Sequence, residues 1–352
     1  MVMPARKASC VLQWASSIIR ESAMTQVEQK TAAAPVPMKR SGADLWQSYG
    51  TVGILVLLLV LSGILSPDYF LTANNLSQIL VQSSVMVLLA CGVFFTILIA
   101  GIDLSVGSML ALTGMITAKL MIAGCPFWAA ILLGGLLMGA VLGAINGALV
   151  NITQLHPFII TLGTTAIYRG LTLIISDARS VFGFDRHFIE LISGRLLGVP
   201  IPVIITVVVV GFLYFLSMHT KLGRNIYALG GNAQAAWFSG INIKSHTFIV
   251  FLISGVCAGV AGIVTTARTG AAEPNAGFGF ETFAIASAII GGTSFFGGRG
   301  KITGVVIGGL IIGVISNILN IMNVQSYYQQ IVMGALIILA VTLDKLFSKK
   351  SR

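Results

Sequence analysis

KLGRNIYALGGNAQAAWFSGINIKSH, residues 221–246, is the longest polar interruption in the C-terminal half of this sequence. Apolar runs rich in Val, Ile and Phe flank it at 202–217 and 248–264. The stretch carries Lys221, Arg224 and Lys244 and no acid. A basic, glycine-punctuated segment cannot sit in hydrocarbon, where unsatisfied polar groups and charges are expensive. It must lie on one face of a membrane, and its flanks must cross that membrane.

Composition agrees. The chain has 352 residues, of which 56% are hydrophobic and only 9% charged, against about 25% charged in a typical soluble domain. It reads as an all-α polytopic membrane protein. At roughly 17–25 residues per crossing, the apolar runs leave room for about ten spans, in the range of eight to ten. The first is 49–65 and the second 77–100, with later ones at 127–150, 201–218, 247–267, 302–321 and 327–343 and others ending at 122 and 175. The run 283–292 is too short to cross untilted at about 1.5 Å per residue. It is either a short helix extended by its neighbours or a re-entrant element. The expected organisation is a cytoplasmic tail over 1–48, a transmembrane domain over 49–344 and a basic tail over 345–352. Residues 1–23 differ in character from the remainder of the chain and read as an upstream extension, with Met24 as the working start.

Ten crossings put both termini on one face. That face holds Lys39, Arg40, the opening stretch, Arg299, Lys301 and the C-terminal basic residues. The opposite face holds two loops of balanced charge, 176–199 and 268–282. Basic residues concentrate in cytoplasmic loops, so the opening stretch and both termini are expected to be cytoplasmic. The net charge of +10 is then an orientation signal and does not indicate nucleic acid as a partner.

Few residues offer chemistry. The four cysteines and four histidines are scattered, without the spacing of a disulfide framework or a metal site. Cys91 and Cys257 lie in apolar runs and read as packing residues. The glycine-rich 291–302 segment lacks both the first Gly and the Ser/Thr of a phosphate loop. Asp103 sits where it could cap a helix start. Arg169, within the fifth span, can reach toward the interface. An ion-driven secondary transporter would want more embedded acids or unwound ion sites, so the energy is expected from another subunit. Gly135, Gly139, Gly143 and Gly147 form a smooth ridge for close helix approach. Asn146 and Asn317 lie near such ridges, either as interhelical glue or as lining of a polar path. Arg179, Arg186, Arg268 and Glu273 on the external loops are candidates for docking a partner.

The segment Gln234-Ala235-Ala236-Trp237-Phe238-Ser239-Gly240 resembles the EAAxxxG loop of ATP-binding-cassette (ABC) importer permeases, with Gln in place of Glu. GIDLSVGSMLALTG (101–114), LGRNIYALGGNAQAAWFSGI (222–241) and AIIGGTSFFGGRGKITG (288–304) strengthen it. Together they resemble the ribose-type monosaccharide permeases of ABC importers over about residues 46–345. HPFIITLGT (156–164), GVCAGVAG (255–262) and ARTGAAEPNAGFGFETFAIAS (267–287) look most like the allose branch. The resemblance implies a type II-like importer fold in the bacterial inner membrane, used as a pair. Two ATPase subunits below would hold ATP and Mg, so this chain needs no cofactor and is not an enzyme. A periplasmic sugar-binding protein would dock above. It also implies that Gly223, Arg224, Gly230, Gly231, Gln234, Ala235, Ala236, Trp237, Phe238 and Gly240 form the ATPase-coupling segment. The other two motifs contribute Gly101, Asp103, Ser105 and Gly107, and Gly291, Gly292, Thr293, Gly297, Gly298 and Gly300.

Overall fold

The computed structural model describes residues 42–349. Most of the expected N-terminal tail, including the 1–23 extension, and the last three residues of the C-terminal tail lie outside that range. The described chain is a helical bundle. Helix α1 is Gly42–Leu65, beginning ahead of the expected 49; α2 is Pro67–Phe70 and α3 Ala73–Leu98. Then come α4 (Val106–Ile122), α5 (Phe127–Thr153) and α6 (Pro157–Ser176). Packed on the bundle through Phe188 and Ile192, α7 (Arg186–Ser193) is followed by a two-residue hairpin, β1 (Arg195–Leu196) with β2 (Val199–Pro200). The chain continues through α8 (Ile201–His219), α9 (Lys221–Gly231), α10 (Ala233–Phe238), α11 (Ile243–Thr269), α12 (Phe280–Ile290), α13 (Ile302–Ile321) and α14 (Ser326–Lys349).

Among the described residues, six helices are long and apolar enough to span: α3, α5, α6, α8, α11 and α13. Shorter apolar helices lie at Gly50–Leu65, α4 and α12. Burial separates the centre from the rim. The most apolar windows of α3 and α11 are 83% and 78% buried, whereas those of α6 and α8 are 22% buried. The exposed faces of α6 and α8 are apolar (Ile167, Ile174, Val207, Phe212), as lipid contact requires.

The predicted glycine ridge is the seam of the core. A Cβ on Gly139 would meet the Gly255 carbonyl, and one on Gly255 would meet the backbone of Gly143 at 2.8 Å. The ridge of α5 therefore seats against Gly255 and Gly259 of α11 at backbone distance. A π-helical turn over Ile131–Leu137 reshapes the N-terminal part of α5 along this seam, a local widening that often accompanies functional positions. Asn317 exchanges hydrogen bonds with Asn75 of α3 (2.8 and 3.1 Å), tying α13 to α3 as interhelical glue.

Two passages through the bundle are broken rather than continuous. After α3 ends at Leu98, the chain turns back through 99–105 before α4 begins. After α11 ends at Thr269, residues 270–279 descend before α12 begins. Gly107 of α4 and Gly277 of the descending loop lie against each other, and a Cβ on Gly277 would come within 2.7 Å of the Gly107 carbonyl. The short 283–292 run lies largely within α12 (Phe280–Ile290), and the irregular segment ahead of it packs on α4. Gly101, Asp103, Ser105, Pro274 and Gly277 are buried, so the protein covers these parts of the non-helical backbone, as a bundle in a bilayer requires.

Candidate functional site

The opening stretch folds as two short helices set by local rules. Thr220 caps α9, its Oγ1 accepting from the Gly223 amide at 3.1 Å. Gly223, Ile226 and Leu229 form the buried stripe of α9, while Lys221 and Arg224 stay exposed. Asn232 caps α10 through the Ala235 amide (3.0 Å). Gly240, at φ +81, ends it. The Ile241 amide donates to the Ala236 carbonyl (3.0 Å) and the Gly240 amide to the Trp237 carbonyl (2.9 Å). That pair is the Schellman closure that a left-handed glycine permits. Ala236 faces inward, and Gln234 and Ala235 are exposed. Trp237 and Phe238, at 61% and 80% exposure, form an edge-to-face pair with ring centroids 5.0 Å apart.

The platform under this pair joins motifs far apart in sequence. The Gly298 amide donates to the carbonyl of Leu98, the last residue of α3, at 2.9 Å. Tyr227 of α9 donates its hydroxyl to the Gly300 carbonyl at 2.9 Å. A Cβ on Gly230 would strike the Leu98 carbonyl, and one on Gly298 would come within 2.7 Å of the Gly231 amide. Positive φ at Gly292, Gly297, Gly298 and Gly300 shapes the 291–300 turn. Gly291 packs on the backbone of Gly304, and Thr293 is buried with its hydroxyl unpaired.

The third motif forms a buried polar chain. Asp103 Oδ1 accepts from the Ser105 amide (3.0 Å) and the Ser105 hydroxyl (2.6 Å), and Oδ2 accepts from Ser254 of α11 (2.7 Å). Asn146 of α5 donates to Ser105 Oγ at 2.7 Å, and Tyr168 of α6 donates to Asn146 Oδ1 at 3.0 Å. Asp103, Ser105, Asn146 and Ser254 are fully buried. Asp103 accepts one free amide at the start of α4, that of Ser105 at the cap position, and it links α11 directly through Ser254 and α5 through Ser105. Gly101 accounts for the turn ahead of it, its amide bonded to the Thr96 carbonyl at 2.9 Å. Ser254 and Tyr168 are not legible in the sequence, since a lone Ser or Tyr in an apolar run carries no signal.

Arg169 reaches to the loop that follows α11. Its Nη1 donates to the carbonyls of Pro274 and Ala276 at 2.7 and 2.9 Å, pinning the descending loop. Beyond that loop, Val181 and Ala272 exchange two backbone hydrogen bonds, each 2.9 Å, which joins the two charge-balanced loops. Arg179, Arg186, Arg268 and Glu273 are exposed around this junction.

Apolar spanning helices around a buried polar centre, with an exposed aromatic pair on a capped helix at one end, define a membrane transport permease subunit. The chain belongs to the family described as branched-chain amino acid transport system / permease component, which matches residues 75–341. It is 63% identical over 307 residues to the D-allose transport system permease protein AlsC of Escherichia coli K12, covering 87% of this chain and 94% of that one. It is 40% identical over 322 residues to the ribose import permease protein RbsC of Bacillus subtilis 168 (91% and 97% covered). The galactose/methyl galactoside import permease protein MglC of E. coli K12 is 38% identical over 318 residues (84% and 94%). No solved structure matches the chain. Membership makes this a multi-pass transport component of an ABC importer, not an enzyme, and favours that reading over a single-chain ion-driven transporter.

Proposed function

We propose that this chain is the inner-membrane permease of an ATP-driven monosaccharide importer, with D-allose the first sugar to test and ribose the second. The supporting observation is the Trp237–Phe238 pair, exposed on a doubly capped helix whose platform is bonded to the end of α3. An aromatic anchor on a rigid base is the form of a protein–protein hot spot. The partner is an ATPase subunit that carries ATP and Mg. A second copy of this chain would complete the path, with about ten crossings each and both termini cytoplasmic. Arg179, Arg186, Arg268 and Glu273 would receive a periplasmic sugar-binding protein. The test is uptake of radiolabelled sugar by cells carrying Trp237→Arg or Gly240→Glu. Both variants are expected to abolish uptake while staying in the membrane at normal amounts. Normal uptake in both rejects the docking role.

A further inference from the structure

Between the end of α11 and the descending loop lies a cavity of about 240 Å³. Arg268, Glu273 and Asn275 line it with a guanidinium, a carboxylate and an amide, and Phe278 and Phe280 add aromatic rings. Among the described residues, none of those three polar side chains has a hydrogen-bond or ion-pair partner. The floor is held firmly. Arg169 pins the carbonyls of Pro274 and Ala276, and Gly277 lies on Gly107. Gly107 follows closely on the Asp103 bond to Ser254, near the middle of α11. The cavity therefore lies between the end of α11 and a loop whose Gly277 is seated on the bundle at Gly107.

The lining selects a ligand class. An anion would meet Glu273, and an apolar molecule would offer no partner to the guanidinium, the carboxylate or the amide. A monosaccharide presents hydroxyls that donate to a carboxylate and an amide and accept from a guanidinium, and a C–H face that rests on an aromatic ring. Broken helices gather at substrate sites in transporters because irregular backbone at depth lines cavities. The Val181–Ala272 bridge places the loop carrying Arg179 beside this one.

We propose that the cavity lined by Arg268, Glu273, Asn275, Phe278 and Phe280 is a monosaccharide subsite, the first place in the permease to hold the sugar. It rests on the importer reading and specifies where that importer touches its cargo. The test is saturation-transfer NMR on the full chain in lipid nanodiscs, with millimolar D-allose and, separately, D-ribose as probes. Transfer to sugar ring protons is expected from the unmodified protein. Asn275→Ala or Phe278→Ala is expected to weaken binding about tenfold, the scale of one lost contact of this kind. Phe278→Tyr, which keeps the ring, and Phe212→Ala on the lipid face are expected to retain binding. No transfer from the unmodified chain with either sugar, or equal transfer from the double variant Asn275→Ala/Phe278→Ala, overturns the subsite. Uptake by the complex with its ATPase and binding protein is measured in parallel. Failure of that complex to import any monosaccharide sinks the importer reading, while the NMR result still decides the cavity.

Discussion

Asp103 is a fully buried carboxylate whose hydrogen bonds all come from serines. Burying a charge is costly unless it is fully bonded, and a carboxylate accepting several bonds orders whatever donates them. Asp103→Ala leaves a buried amide and two hydroxyls without their acceptor, and is expected to cost about 2–3 kcal/mol. Tyr168→Phe removes only the outermost link of the chain and is expected to cost about 0.6–1 kcal/mol. Asp103→Asn preserves shape, and the Ser254 hydroxyl can turn to accept, so its cost falls between the two. Denaturant titration of the protein in micelles ranks the three. The acid itself is visible in the sequence as an isolated charge. Its role is not, because Ser254 stands 151 residues away in the chain and nothing local records that contact.

At the scale of elements, the α5–α11 seam admits no side chain where its glycines meet. Gly143→Leu places a branched side chain where the Phe251 carbonyl and the Gly255 backbone lie. It is expected to abolish accumulation of folded protein, read as loss of a monodisperse peak on size-exclusion chromatography. Gly163→Ala on α6 meets nothing within 4 Å and is expected to be neutral, or stabilising by up to about 1 kcal/mol through helix propensity. The four-residue spacing exposes this ridge in the sequence, as the glycine exposes the helix stop at 240. At Gly240, φ is +81 with open space around the Cα, so strain alone acts there. Gly240→Ala is expected to cost about 1 kcal/mol, and Gly240→Asn less, with sugar uptake following the same order. The descending loop 270–279 is not legible in the same way. Its Gly, Pro and charged residues read as a surface turn, and only the Gly107–Gly277 contact shows that it enters the bundle.

For the whole molecule, the loops 176–199 and 268–282 form one cap where Val181 and Ala272 make a hydrogen-bonded antiparallel pair. Such pairs have Cα atoms about 5.5 Å apart, within the range a disulfide spans. Val181→Cys with Ala272→Cys is therefore expected to oxidise spontaneously outside the cytoplasm, seen as a mobility shift on non-reducing gels. If the cap moves as a unit during transport, the crosslinked protein keeps its uptake. Selective loss on oxidation, restored by reductant, would show that the loops must part. Hydropathy makes the apolar runs legible, and charge their expected orientation, since each depends on local composition. Which loops fuse, and which helices are broken, depends on partners distant in the chain.

The hydrogen bond from Gly298 to Leu98 has a mechanical corollary. Leu98 is gripped at the end of α3 that meets the α9–α10 platform, and the backbone runs on from it to Asp103 with no helix between. A rigid rod would deliver a push undiminished; a tether delivers only the part left after its slack is taken up. The stroke reaching mid-bundle is then set by residues 99–105, much as free play limits a gear train. Inserting one glycine after Ile102 is expected to let the partner's ATP hydrolysis proceed while sugar flux falls, an idling transporter, measured as the ratio of phosphate released to sugar imported.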